Sequence, residues 1–265
     1  MTIQQKLRDL IIRIPGAVKT YYTVTHVFRK MLFRLQGGTR YGHMFYHPVL
    51  MEVLGKAERR SHISDHLSSI FFFALDAKAR LMVELGTGAG ESTRVLLAAA
   101  SITGSTLLSI DVEDRRQLAL PHKERWHFVQ SDDVEFGDAR FTEWCQRNSI
   151  EPKIDLLFID TSHWYEHTKK ELQVWCPYLS ENAVMILHDT NMGPGVYGRM
   201  DGSVGIGYDN ERGVIRVLEE FVGRQYDEKS FFCDLARGYL MMHYPHCNGL
   251  AVLKKYEAVF SEHDK

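Results

Sequence analysis

Two aspartates in the second half of the chain have the types and spacing suited to metal-assisted chemistry. Asp160 follows the apolar run Ile154–Ile159, and Asp189 comes shortly after a second run, Ala183–Leu187. If both runs are parallel strands, their carboxyl ends lie at the edge where such sheets bind ligands, so the carboxylates face one cleft. Converging carboxylates repel each other, and a divalent ion such as Mg²⁺, which takes one or two carboxylates plus substrate oxygens, relieves the repulsion.

A glycine-rich turn earlier in the chain is suited to binding a cofactor that contains adenosine. Residues 81–93 read LMVELGTGAGEST, in which a strand-like run is followed by Gly86, Gly88 and Gly90 and then by a helix-like segment. Glycines allow the sharp turn and the close backbone approach that a ligand at a helix N-terminus requires. Asp111 follows Gly90 at close to the spacing at which an acid binds ribose hydroxyls.

Two glutamates discriminate between adenosine cofactors. A dinucleotide-binding turn needs glycine where this chain has Glu91, and a carboxylate there would repel a pyrophosphate, so NAD and FAD fit poorly. Glu84, at the end of the strand-like run, suits a cationic ligand. S-adenosylmethionine carries an ammonium and a sulfonium but no phosphate. A glycine-rich turn in some other α/β domain is the alternative at this point.

Alternating strand-like and helix-like segments predict the elements that position these residues. The predicted strands are Leu81–Leu85, Thr106–Ile110, Trp126–Gln130, Ile154–Ile159 and Ala183–Leu187, with a helix at Val214–Val222 and a further strand at Gly249–Leu253. This alternation indicates an α/β fold with a Rossmann-like, doubly wound, mostly parallel sheet. We assign residues 61–265 to this domain and residues 1–60 to an N-terminal helical extension, because apolar residues recur there at helical spacing.

The extension is basic, whereas the whole chain has a formal net charge of −2. Residues 1–51 contain eight Lys or Arg and one acid, a net charge of +7. A membrane-surface or nucleic-acid face is conceivable, but a helical cap or subunit contact is preferred, so we expect a homo-oligomer with no nucleic-acid partner and no integral membrane segment. The four cysteines show no C-x-x-C spacing and the N-terminus has no secretory apolar region, so a cytoplasmic location is expected.

The chain resembles class I methyltransferases at these motifs. The E-x-G-x-G-x-G pattern from Glu84 to Gly90 is similar to the first motif of that S-adenosylmethionine-dependent class. F-I-D-T-S-H-x-Y-E-H and L-H-D-T, within roughly residues 61–255, resemble the cephalosporin-hydroxylase-like branch, which includes sugar O-methyltransferases of macrolide biosynthesis. The resemblance implies Mg²⁺ bound by Asp160, His188 and Asp189, with His163 as the base. His188 stands where the branch has an acid.

The expected site residues form three sets. The catalytic set is His163 and Asp160, and the metal set is Asp160, His188 and Asp189. The cofactor set comprises Glu84, Gly86, Thr87, Gly88, Gly90, Ser92, Asp111, Val112, Asp132 and Asp160. Simpler interpretations are a plain turn at Asp132 and a helix cap at His163, and His167 is expected on the surface of the helix that follows.

These features predict a Mg²⁺-assisted, S-adenosylmethionine-dependent O-methyltransferase acting on a hydroxyl of a small molecule, a sugar or glycosylated metabolite. One rival is a non-heme iron hydroxylase that uses Asp160, His163 and His188 as a two-histidine, one-carboxylate triad. It leaves the glycine-rich turn and Glu84 unexplained. Another is a non-catalytic protein that retains the cofactor fold. Residues 193–213 carry seven glycines and suggest either a mobile loop over the substrate or a plain surface loop.

Overall fold

The structure is a computed structural model that describes most of the chain after residue 47. It describes residues 48–58, 61–192 and 212–256, the backbone of 196–198 and 204–206, and scattered residues between 14 and 31. Most of the extension predicted at 1–60 and of the loop predicted at 193–213 therefore lies outside the described residues. Both expectations stay predictions.

An eight-stranded sheet forms the centre of the described chain. The strands in chain order are β1 Leu81–Leu85, β2 Thr106–Asp111, β3 Trp126–Gln130, β4 Ile154–Ile159, β5 Leu179–His188, β6 Val196–Gly198, β7 Val204–Ile206, β8 Phe232–Ala236, β9 Tyr239–Tyr244 and β10 Leu250–Lys255. The order across the large sheet is β3-β2-β1-β4-β5-β10-β9-β8, while β6 and β7 pair with each other. Strands β1 to β5 are parallel, and β10, β9 and β8 add antiparallel neighbours beyond β5. The order reverses between β1 and β4, which is where open α/β sheets bind ligands.

Helices cover both faces of this sheet. The described α-helices are α1 Pro48–Ala57, α2 Leu67–Ala77, α3 Glu91–Thr103, α4 Asp133–Ala139, α5 Phe141–Arg147, α6 Tyr165–Trp175 and α7 Gly213–Val222. Two separate apolar cores result, one containing residues of α1, α2 and α3 and the other residues of α4 to α7. Met82 and Val83 of β1 enter opposite cores because neighbouring strand residues point to opposite faces. Strands buried on both faces are continuous apolar runs, which made β1 and β4 recognisable.

The predicted α/β fold with a Rossmann-like, mostly parallel sheet is confirmed. Three predicted strands have the observed bounds, and the strand predicted at Thr106–Ile110 extends one residue further, to Asp111. The run Ala183–Leu187 is the inner part of the longer β5. The helix predicted at Val214–Val222 begins one residue earlier, and the strand predicted at Gly249–Leu253 lies at Leu250–Lys255.

Helix α1 shows how the last part of the proposed extension relates to the domain. Val53 and Leu54 of α1 are buried, and the helix contacts α2 and α3. The domain boundary at residue 60 stays a prediction. Within the described chain, no helix combines the length and apolar character needed to cross a bilayer.

Candidate active site

The glycine turn after β1 brings the backbone close to the end of β4. Gly86 has φ of +84°, and a Cβ atom added there would lie 2.0 Å from the carbonyl oxygen of Asp160. The N–H of Gly86 donates to the carbonyl of Ile110 at 2.9 Å. Only glycine therefore fits at this position, and the turn is fixed between the ends of β2 and β4.

Asp111, the last residue of β2, holds the same turn from its other side. Its Oδ2 accepts the backbone N–H groups of Thr87 at 3.0 Å and of Gly88 at 2.9 Å. Arg115 forms an ion pair with the same oxygen at 3.4 Å. The acid expected at the ribose is thus beside the glycine turn, with its carboxylate already bonded to two amides.

Glu84 differs from the expectation that it faces the cofactor directly. Its carboxylate is fully buried and accepts hydrogen bonds from Ser92 at 2.7 Å, from Thr93 at 2.8 Å and 3.0 Å, and from Ser109 at 2.5 Å. Burial raises the pKa of Glu84 to about 7, even though the three hydroxyl groups favour the charged form. The carboxylate lies behind Ser92, which itself lines the cavity described next.

A cavity of about 380 Å³ opens at the carboxyl ends of β1, β4 and β5. It brings together eight of the expected site residues, namely Gly86, Thr87, Gly88, Ser92, Asp160, His163, His188 and Asp189. The volume lies in the range of small-molecule pockets. The glycine turn and the predicted catalytic residues therefore share one cavity.

Four expected cofactor residues besides Glu84 do not line this cavity. Asp111 and Gly90 lie behind the turn, and Gly90 caps α3 with φ of +77°. The side chain of Val112 is 65% exposed. Asp132 caps α4 by accepting the N–H of Glu135 at 2.9 Å, whereas the simpler interpretation of that residue was a plain turn.

A histidine and two carboxylates meet at the far side of the cavity. His163 Nδ1 lies 2.6 Å from Asp189 Oδ2, and His163 Nε2 lies 3.4 Å from Asp160 Oδ1. Asp189 is nearly buried, whereas a quarter of the Asp160 side chain is exposed. The two carboxylates therefore converge on one histidine, as their positions at the ends of β4 and β5 predicted.

His188 lies beside the other two members of the expected metal set. Its Nδ1 lies 3.2 Å from Asp160 Oδ1 and 3.3 Å from Asp189 Oδ1, and its Nε2 lies 3.1 Å from the carbonyl oxygen of Cys247. Both ring nitrogens are thus engaged with protein oxygens. At this cavity, Asp160, His163 and Asp189 are three residues whose potential ligand atoms all lie within 4.8 Å of one another. This set has one histidine and two carboxylates, and it does not include His188.

The imidazoles and carboxylates of this cluster shift one another's pKa values. Burial alone would lower the pKa of His188, but Asp189 and Asp160 raise it to about 9. Burial likewise opposes the charged form of His163, and the Asp189 carboxylate more than offsets it, so the pKa of His163 is raised. Burial would raise the pKa of Asp189, but the two imidazoles hold it well below its usual range. The cluster is therefore built to keep carboxylates charged beside imidazolium groups.

Several cavity residues were not predicted from the sequence. His62, Ile63 and Met192 line it, and so does Asn248, whose side chain helps to lower the pKa of Asp189. Asn248 has φ of +69° in the turn between β9 and β10. Its N-G dipeptide was a turn signal, but nothing in that signal shows that the turn reaches Asp189.

Together these features define a Rossmann-like α/β domain with a ligand cavity at the switch point of its sheet. Residues 83–190 match the family described as a methyltransferase domain. That segment runs from β1 to just beyond β5, and it contains both the glycine turn and the Asp160–Asp189 cluster. The segment is therefore similar to methyltransferase domains, which agrees with the predicted resemblance to class I, S-adenosylmethionine-dependent methyltransferases.

Three solved structures illustrate how distant the structural relatives are. A methyltransferase from Geobacter sulfurreducens is 16% identical, with 86% of this chain and 97% of that chain covered and a TM-score of 0.49. The S-adenosylhomocysteine-bound methyltransferase PaMTH1 of Podospora anserina is 15% identical, with 86% and 96% covered and a TM-score of 0.48. CalS11, a TDP-rhamnose 3′-O-methyltransferase of calicheamicin biosynthesis, is 16% identical, with 87% and 93% covered and a TM-score of 0.47. Structural similarity at this level does not indicate which acceptor this chain uses. No curated protein matches the chain.

Proposed function

We propose that the protein transfers the methyl group of S-adenosylmethionine to a hydroxyl of a small molecule, a sugar or glycosylated metabolite. The observation that carries the proposal is that the glycine turn at Gly86–Gly88 and the His163–Asp189 pair line the same cavity. A cofactor held at the turn would lie beside the groups that orient and deprotonate an acceptor.

The charge of the cavity supports a cationic cofactor. Glu91 and Asp160 line it, and neither is compatible with a bound pyrophosphate. Ser92 also lines it and donates its hydroxyl proton to Glu84 at 2.7 Å, so the buried carboxylate acts on the cavity through Ser92. We assign the charged groups of the cofactor to the side of the cavity lined by Ser92 and Asp160, and its ribose to the side nearer Asp111.

The arrangement of His163 suits a general base. Asp189 holds Nδ1, which leaves Nε2 directed toward the Asp160 side of the cavity, where an acceptor hydroxyl would bind. The acceptor oxygen attacks the sulfonium methyl carbon, the new C–O bond forms as the C–S bond breaks, and the hydroxyl proton passes to Nε2. Because the hydroxyl is a weak nucleophile while protonated, a positioned base and in-line alignment supply the acceleration.

The donor set also fits a divalent ion. Asp189 Oδ1 is buried and accepts no hydrogen bond from the part of the chain that the structure describes, and the Asp160 carboxylate reaches the cavity. Oxygens of Asp160 and Asp189 would hold the ion, and His188 would not, because its nitrogens are engaged. When bound, Mg²⁺ would supply a lower pKa for an acceptor hydroxyl that contacts it.

The acceptor class rests on the motif resemblance. Residues 158–167 and 187–190 resemble the branch that contains sugar O-methyltransferases, and the described part of the cavity is lined by polar groups at its catalytic side. A hydroxyl-rich acceptor suits such a lining because buried hydroxyls need hydrogen-bond partners.

The experiment combines cofactor binding with turnover. Calorimetry with S-adenosylmethionine is run beside transfer of a labelled methyl group to a panel of sugars, glycosides, catechols and amines, with Mg²⁺ or a chelator. Asp160→Asn and His163→Ala should bind the cofactor yet lose turnover by about 10²-fold or more. Asp138→Asn, an exposed carboxylate on α4, is the matched control and should keep full activity.

Each other result has a definite meaning. Cofactor binding without transfer to any acceptor would favour a non-catalytic role. Transfer only to amines or catechols would refute the sugar acceptor. Unchanged turnover in the chelator would remove the metal from the proposal, and product formation that needs iron and oxygen would favour a hydroxylase.

A further inference from the structure

A second cluster of potential metal ligands lies on the other side of the cavity wall. It consists of Asp133, His167 and Glu171, which the methyl-transfer chemistry does not use. Asp133 is the first residue of α4, and the other two lie one turn apart on α6. His167 was expected on the helix surface, but only 26% of its side chain is exposed.

The two distances from His167 match those between ligands of one tetrahedral ion, and all three potential ligand atoms lie within 4.8 Å of one another. His167 Nε2 lies 3.1 Å from Asp133 Oδ1 and 3.5 Å from Glu171 Oε1. Zinc–nitrogen and zinc–oxygen bonds of about 2.1 Å in a tetrahedron separate neighbouring ligand atoms by roughly 3.4 Å. One nitrogen and two carboxylate oxygens can therefore contact a single ion with small adjustments.

Buried oxygens without partners provide an independent indication. Glu171 is fully buried, and its Oε2 accepts no hydrogen bond from the described residues. Asp133 Oδ2 and the hydroxyl of Thr168 likewise have no hydrogen-bond partner among the described residues, and both residues are buried. Buried carboxylate oxygens are costly unless they are hydrogen-bonded or bind a cation.

We propose that Asp133, His167 and Glu171 form a binding site for Zn²⁺. Imidazole nitrogen favours zinc over Mg²⁺, which prefers oxygen ligands. Three protein ligands leave a fourth position for water, and the partly exposed His167 marks the side from which the ion enters.

Thr161 connects this site to the cavity. Its hydroxyl donates to Glu171 Oε1 at 2.6 Å, and Thr161 itself lines the cavity next to Asp160. Hydrogen bonds of this kind orient carboxylate ligands. Zinc would therefore fix the loop after β4 against α4 and α6 without taking part in methyl transfer.

The test measures zinc on the full-length protein after exhaustive chelation. Calorimetry and elemental analysis follow Zn²⁺ uptake by the wild type, Glu171→Gln, His167→Ala and the double variant Asp160→Asn/Asp189→Asn. After chelation, the wild type and the double variant should each take up one Zn²⁺ at the α4–α6 cluster. Glu171→Gln and His167→Ala should weaken this binding by at least about tenfold. Zinc should also raise the Tm of the wild type, and not of His167→Ala, by about 5 °C.

Two results would overturn the proposal. One is zinc affinity that is unchanged in both Glu171→Gln and His167→Ala, and the other is no zinc uptake by the double variant. His167→Ala changes a partly exposed residue, and circular dichroism establishes that it is folded. If the cluster instead holds a proton shared by the two carboxyls, the wild type takes up no Zn²⁺ there and the proposal fails.

Discussion

His163 Nδ1 and Asp189 Oδ2 lie 2.6 Å apart, and both residues have positive φ, +61° and +58° respectively. Residues other than glycine rarely adopt this conformation, and each instance costs on the order of 1 kcal/mol or more. The strain occurs directly beyond the ends of β4 and β5, where the two side chains must turn toward each other. Seven other described non-glycine residues also have positive φ, but His163 and Asp189 are the pair whose side chains meet at the cavity, which supports the proposed catalytic role.

Asp189→Asn should lower turnover and move its pH dependence. In the wild type the base must be neutral, and the Asp189 carboxylate raises the pKa of His163, so activity should rise with pH through a pKa above 6.5. Without that charge, burial dominates, and the rising limb should move to lower pH. We also expect turnover to fall by about 10²-fold or more because the imidazole loses its orienting partner.

Initial rates from pH 5.5 to 9.5 with saturating cofactor check this prediction. Asp155→Asn is a suitable control, because that carboxylate accepts the N–H of Arg80 at the opposite end of β4. A rising limb at the same pH in Asp189→Asn and in the wild type would show that Asp189 does not set the pKa of the base.

Gly86→Ala should disrupt the cofactor side of the cavity, whereas Gly88→Ala should have a small effect. A Cβ at residue 86 would lie 2.0 Å from the Asp160 carbonyl oxygen, but a Cβ at residue 88 meets nothing within 4 Å. Both have positive φ, so both variants pay a strain cost of about 1 kcal/mol. The overlap at residue 86 should add roughly 2 kcal/mol or more.

Urea unfolding and calorimetry with S-adenosylmethionine compare these two glycine variants. Gly86→Ala should be clearly the less stable of the two and should bind the cofactor far more weakly. Equal losses in both variants would mean that the close approach to Asp160 does not matter.

The sequence predicted β1 and β4 well because these strands are buried on both faces. Both are short, mostly apolar runs bounded by turn residues, so their bounds follow from local composition. Asp160 and Asp189, which follow β4 and β5, could therefore be placed at one edge of the sheet. Parallel-sheet topology then brings them together without further information.

Contacts between distant segments could not be predicted in the same way. Burial of Glu84 depends on Ser109 of the neighbouring strand, and the orientation of His188 depends on the Cys247 carbonyl oxygen. Neither partner has a sequence signal that links it to its acid or histidine. The sequence thus predicted eight of the residues that line the cavity, but not the contacts that hold Glu84 and His188 in place.

His66 should make the protein less stable in mild acid. Burial and the neighbouring His188 lower the pKa of His66 to about 4, and its Nε2 lies 2.7 Å from the carbonyl oxygen of His246. The unfolded chain binds a proton below about pH 6.5 that the folded chain does not bind until about pH 4, so stability falls as the pH falls through this window. The loss attributable to His66 should be about 3 kcal/mol.

His66→Gln retains an N–H donor but cannot titrate. Urea unfolding at several pH values between 4.5 and 7.5 should show a smaller loss of stability for this variant than for the wild type. Parallel curves for the two proteins would mean that His66 is not the group responsible.

Binding of S-adenosylmethionine should strengthen as Glu84 becomes charged. Burial raises the pKa of Glu84 to about 7, and a cation in the cavity would favour the carboxylate, so cofactor binding releases a proton at lower pH. Affinity should therefore rise between pH 6 and pH 8, by at most about tenfold per unit below the pKa. The cofactor's own amine also titrates, so the measurement compares the pH dependence of cofactor affinity in the wild type and in Glu84→Gln. This pH dependence should be weaker in Glu84→Gln.

We expect Ser92 to link the charge of Glu84 to cofactor binding in the cavity. Ser92→Ala removes the hydroxyl that joins Glu84 to the cavity surface, and it should weaken cofactor binding by several-fold at pH 8. Ser101→Ala is the matched control, because Ser101 lies on the same helix and its hydroxyl donates to the Ala98 carbonyl oxygen. If Glu84→Gln kept the full pH dependence and Ser92→Ala kept full affinity, the buried carboxylate would serve only to hold β1, β2 and α3 together. Cofactor recognition would then have to come from the glycine turn and Asp111.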